Sequence, residues 1–78
     1  MPTAARVGPY RLYFYSADQS EPAHVHVERD AVTAKFWLNP LELAWNHGFG
    51  PPELRRIRGI ISGRRTVLLE TWRGYFRK

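Results

Sequence analysis

The chain has 78 residues and no cysteine, which excludes a disulfide framework, a thiolate metal site and a cysteine nucleophile. Twelve lysines and arginines against seven acids give a net charge of +5, and no apolar run approaches the ~20 residues of a membrane-spanning helix. The length suits one domain, residues 1–78, whose thin core draws on three Trp, four Tyr and four Phe. The first residues lack the apolar stretch of a secretory signal, and a cysteine-free domain this small suits a reducing compartment, so a cytoplasmic location is expected.

A short first strand is allowed near residues 5–7. Residues 10–15 (Tyr-Arg-Leu-Tyr-Phe-Tyr) are aromatic-rich and read as a strand, with Tyr10, Leu12 and Phe14 on one face and Arg11, Tyr13 and Tyr15 on the other. Residues 16–22 are a polar loop. Residues 24–28 (His-Val-His-Val-Glu) alternate strictly, so Val25 and Val27 face the core while His24, His26 and Glu28 share the opposite face. Asp30 marks a turn. Residues 32–38 form the next strand, with Val32, Ala34, Phe36 and Leu38 alternating with Thr33, Lys35 and Trp37. Residues 41–45 fit either a short strand or a turn of helix.

Residues 46–52 are a loop that ends in a helix start, where proline is tolerated and Glu53 complements the helix dipole. Leu54, Ile57 and Ile61 fall on one helical stripe, and Leu68, Trp72 and Phe76 on another. An unbroken helix would put Arg64 and Arg65 in the apolar stripe, so a break near Ser62-Gly63 and two helices, roughly 51–61 and 64–76, are expected. The fold class is therefore α+β. Residues 1–45 are mainly β, an antiparallel meander of three to four strands, and residues 51–76 are helical, two C-terminal helices packed on one face. All three tryptophans are expected in the core.

His24 and His26 are the sharpest chemical feature. Two residues apart on a strand, their Cα atoms lie about 6.6 Å apart, close enough to grip one metal or one phosphate. Glu28 shares their face, but about 13 Å separates it from His24, too far for three ligands on one ion. A metal site would need a third ligand from elsewhere, such as His47 or Asp18; no metal or other cofactor is assigned. The alternative is acid–base chemistry, since imidazole titrates near neutrality. If the strands pair, Arg11, Tyr13 and Tyr15 lie beside the two histidines, and Lys35 and Trp37 complete the face. Such a surface can bind a phosphodiester and cleave RNA without metal, with His24 and His26 catalytic and Arg11, Tyr13 and Lys35 as helpers. Strand alternation alone would also place polar residues there, on a solvated or partner-covered face.

Charge is unevenly placed. Residues 1–54 sum to −2, whereas residues 55–78 sum to +7, with Glu70 their single acid. Arg55, Arg58, Arg64, Arg65 and Arg73 form a candidate surface for RNA or for an acidic partner protein, since the guanidinium fork matches phosphate and carboxylate alike. A solvated helix face is the plainer reading. Gly48-Phe-Gly50 lacks the Lys-Ser/Thr of a phosphate-binding loop, and no Gly-x-Ser-x-Gly nucleophile elbow occurs.

Taken together, Glu21-Pro22, His24-Val25-His26-Val27, residues 34–38, residues 43–46, Gly48-Phe49, Pro51, Glu53-Leu54, residues 68–70 and Trp72 resemble a bacterial family of unknown function, number 4160 in the domain-of-unknown-function series. The likeness runs from Met1 to Phe76, and the proline followed by His-Val-His-Val is its most specific motif. Gly50 stands where members often carry a serine helix cap. The resemblance implies a small protein beside a second small gene product, a component of a toxin–antitoxin pair. It brings no catalytic residue. The expected function is thus a toxin-like component that binds or cleaves RNA. A non-catalytic module docking a small acidic protein encoded nearby, and a histidine-based metal-binding domain, stand as alternatives.

Overall fold

A computed structural model describes residues 3–15 and 20–76 of the chain. Five strands and two helices follow one another: β1 (Thr3–Val7), β2 (Tyr10–Tyr13), β3 (His24–Arg29), β4 (Val32–Leu38), β5 (Leu41–His47), α1 (Pro51–Gly63) and α2 (Arg65–Phe76). The strands form one antiparallel sheet in chain order, β1-β2-β3-β4-β5. The meander and the helix pair are as expected; the count of three to four strands is corrected to five.

The fifth strand was ambiguous for a physical reason. Its pairing with β4 slips between Lys35 and Phe36, where Lys35 faces Trp45 and Phe36 faces Leu43. Ala44 is the extra residue of a bulge. Directly paired residues share a face, so the bulge sends Leu43 to the side of Phe36 and Trp45 to the side of Lys35. That erases the alternation by which a strand is read from sequence. The turns carry their own signals: Gly8 and Asp30 adopt the left-handed backbone (φ 57° and 56°), which glycine and aspartate tolerate.

Tyr10, Leu12, Phe14, Val25, Val27, Ala34, Phe36 and Leu38 make the inner face of the sheet, against Ile57 and Ile61 of α1 and Leu68 and Trp72 of α2. Each large side chain fully withdrawn from water there contributes about 1.5–3 kcal/mol. Phe49, in the loop before α1, also enters this core. It is aimed by Asn46, whose Oδ1 accepts from the Phe49 N–H at 3.0 Å while its Nδ2 donates to the Phe49 carbonyl at 2.8 Å. Gly48 between them has φ 116°, and a Cβ there would lie 2.4 Å from Val32 Cγ1.

α1 starts with Pro51 in its first turn and ends where the Arg64 N–H turns to the carbonyls of Ile61 and Ser62. α2 resumes at once, so the break falls where the two apolar stripes lose register. Side chains then tie the helices to the sheet. Arg65 Nε donates to the Leu38 carbonyl at 2.5 Å and its Nη2 to Asn39 Oδ1 at 2.7 Å, while Arg58 Nη2 donates to the Leu41 carbonyl at 2.8 Å.

Candidate functional site

The outer face of the sheet gathers the residues singled out for chemistry in cross-strand rows. His24 pairs with Trp37, and Trp37 with Glu42. Tyr13 pairs with His26, His26 with Lys35, and Lys35 with Trp45. Arg11 pairs with Glu28, Glu28 with Thr33, and Thr33 with His47. The strand pairing thus brings Arg11, Tyr13, Lys35 and Trp37 beside the two histidines, as the alternation implied.

Catalysis by His24 and His26 would require exposed rings, and the structure buries both. Val25 and Val27 are buried on the inner face, but His24 and His26 are buried too, 0% and 4% exposed on the other. Large rings do this. His26 stacks on Tyr13 (centroids 5.2 Å, planes 20° apart) and takes Tyr15 edge-on at 4.7 Å. His24 lies edge-on to Trp37 at 5.5 Å and meets Trp72 of α2 at 4.8 Å, with His26 5.1 Å away. Polar residues on a second sheet face need not be solvated when aromatic neighbours cover them. Of the three tryptophans only Trp72 joins the inner core; Trp37 and Trp45 are half-buried on the outer face, so the expectation of three core tryptophans is corrected.

Electrostatics complete this second, polar core. The His24 Nδ1–H donates to the Pro22 carbonyl at 2.9 Å, since a carbonyl can only accept, and Glu21 Oε1 lies 3.7 Å from the same nitrogen. Glu21 also accepts from Lys35 Nζ at 2.5 Å, and that ammonium sits 4.6 Å from the centre of the Trp37 ring. Arg11 donates to Glu28 at 2.9 Å and to Thr3, and its guanidinium lies over Tyr13. Burial, reinforced by the hydrogen bond to Tyr15, pushes the Tyr13 phenol well above its ordinary pKa, so it stays protonated at neutral pH. The cations expected to serve a phosphate are each neutralised by a carboxylate on the same face.

Among the described residues no three His, Asp or Glu side chains converge as metal ligands would. His47 stacks on Trp45 at 4.6 Å, and the Trp45 ring lies 6.0 Å from that of His26. Asp18, the other third ligand considered, lies outside the described residues. A shallow polar depression near the β1–β2 turn is lined by Thr3, Arg6, Pro9, Arg11, Glu28 and Asp30 and not by either histidine.

The arginines belong to the other layer. Arg55, Arg56 and Arg73 are exposed on the helices and Arg64 in the turn between them. Among the described residues the guanidinium groups of Arg55, Arg64 and Arg73 take part in no hydrogen bond or ion pair, whereas those of Arg58 and Arg65 hold the β4–β5 turn. Among the described residues no hydrogen bond or ion pair joins Arg55, Arg64 or Arg73 to His24 or His26, although Trp72 of α2 meets His24. Sequence reading also missed the group that clamps the layers together, Tyr10 and Arg29 on Glu53. Glu53 in the first turn of α1, read from sequence as a complement to the helix dipole, was its trace.

An antiparallel five-stranded meander with two helices on one face and a buried histidine–aromatic cluster on the other defines a small α+β domain. The profile of a domain of unknown function (DUF4160) matches residues 10–73, and the chain belongs to that family. No curated protein and no solved structure matches it. No helix of the described residues is long and apolar enough to cross a membrane.

Proposed function

We propose that this protein is a toxin-like component of a two-gene toxin–antitoxin pair and acts by binding RNA through the guanidinium groups of its helical layer. The observation that carries the RNA reading is the exposure of Arg55, Arg64 and Arg73 with no acid neutralising them among the described residues, in a segment that sums to +7. The pairing with a second gene product rests on the family resemblance. Burial of His24 and His26 opposes cleavage at that pair, so the reading is of binding.

Binding to a single-stranded RNA should weaken steeply with salt, with a log–log slope of about −0.7 for each phosphate contact. Replacing Arg55, Arg64 and Arg73 together by Glu should flatten that slope by about two and abolish growth inhibition on expression, because these side chains hold no part of the fold. An unchanged slope in the triple variant, or no salt-dependent binding by the native chain, would sink the reading.

A further inference from the structure

Arginines suffice for a polyanion, but α2 also carries exposed apolar side chains. Val67 is 62% and Tyr75 43% exposed, the first being the most exposed large apolar side chain of the described residues. At 3.6 residues per turn Val67, Thr71 and Tyr75 line one flank of α2, with Arg64 at its head. Gly74 adjoins the stripe, and a Cβ there would meet nothing within 4 Å, so another chain can approach the helix backbone at that point.

Tyr75 is also held from beneath. Its ring meets Phe76 edge-on at 4.8 Å, Phe76 lies on Trp72 at 4.3 Å, and Trp72 packs edge-on to buried Phe14 at 5.2 Å. A surface tyrosine anchored on core rings loses little entropy on binding, and Tyr and Arg are the residues on which interface energy concentrates.

We propose that this flank of α2 is a docking face for an acidic, amphipathic helical segment of a partner protein, whose apolar side chains meet Val67 and Tyr75 while its carboxylates face Arg64 and the other helix arginines. Charge complementarity selects that occupant. The segment 55–78 sums to +7, which attracts carboxylates and repels a second copy of the same face. Ribose and phosphate offer nothing to the isopropyl group of Val67. The inference is separable from RNA binding, since the arginines are shared by both readings but Val67 and Tyr75 meet only the partner's apolar side chains.

The test uses the full chain and two labelled synthetic peptides of about 20 residues, long enough to hold helix. One carries leucines at three- and four-residue spacing among glutamates; the other has the same composition with the leucines scattered around the helix. Fluorescence anisotropy should show the amphipathic peptide bound at least about tenfold more tightly than the scattered one. Replacing Val67 and Tyr75 together by Ser should remove that difference while leaving binding of single-stranded RNA unchanged. Equal binding of the two peptides, no binding of either, or an unaltered preference in the double variant would each overturn the proposal. So would self-association of the native chain, seen by light scattering, that the double variant loses. Circular dichroism confirms that the variant is folded. Loss of RNA binding by the arginine variant bears on the RNA reading alone.

Discussion

The carboxylate of Glu53, in the first turn of α1, receives the guanidinium of Arg29 on β3 through two prongs, Nε to Oε2 at 2.6 Å and Nη2 to Oε1 at 2.9 Å. The Tyr10 hydroxyl donates to the same Oε2 at 2.7 Å. Hydrogen bonds from Arg29, then from Tyr10, hold the Glu53 carboxyl below the usual carboxylate range, and the field of Arg56 adds to them. A carboxyl with a lowered folded-state pKa contributes stability that is present above its unfolded value, about 4.3, and is lost as pH falls through the folded value. Glu53→Gln should therefore lower the melting temperature at neutral pH and progressively less in strong acid. A constant difference between the two proteins across that range would show that the ion pair does not set the acid limb.

Because His24 and His26 are buried ring against ring, His24→Ala and His26→Ala should act first on stability. Each should cost roughly 2–4 kcal/mol, in the range for emptying a buried ring site. A urea unfolding midpoint measured for each variant checks this. A midpoint equal to the native one would mean that these rings do not hold the outer face together.

Trp72 touches Phe14, His24 and Phe76 and is 8% exposed, so it joins the inner core to the buried histidine. Trp72→Ala should cost about 3–5 kcal/mol, a large share of what a domain this small possesses. The expected result is a chain that melts broadly or fails to fold, read by circular dichroism; a sharp melt near the native temperature would contradict it.

Three glycines should respond with opposite signs. Gly59 and Gly74 lie inside α1 and α2, and a Cβ at either meets nothing within 4 Å. Alanine at each should stabilise by about 0.5–1 kcal/mol, since glycine forgoes that much in a helix interior. Gly48→Ala should destabilise by about 1–3 kcal/mol, because φ is 116° and the new Cβ meets Val32 at 2.4 Å. Chemical denaturation of the three variants side by side checks the order.

Local chemistry was legible in the chain itself. Alternation in residues 24–28 separated Val25 and Val27 from the histidines, the mismatch of two apolar stripes located the helix break, and the uneven arginines marked the helical layer. Each of these is written in neighbours a few residues apart, which is what periodicity reports. Only the tertiary structure decided the rest. Tyr10 and Arg29 reach Glu53 from 43 and 24 residues away, and no local pattern records such a meeting. The bulge at Ala44 reverses a face by one extra residue, which disguised β5 and delivered Trp45 to the outer side. Burial of His24 and His26 depends on rings drawn from β2, β4, β5 and α2, so alternation could tell which side they point to but not whether that side is wet. The same two-layer packing gives the helices an apolar bed on the inner face and leaves Arg55 and Arg73 exposed to solvent, while Trp72 of α2 reaches His24, so which helix residues meet the histidines was set by the packing of the layers.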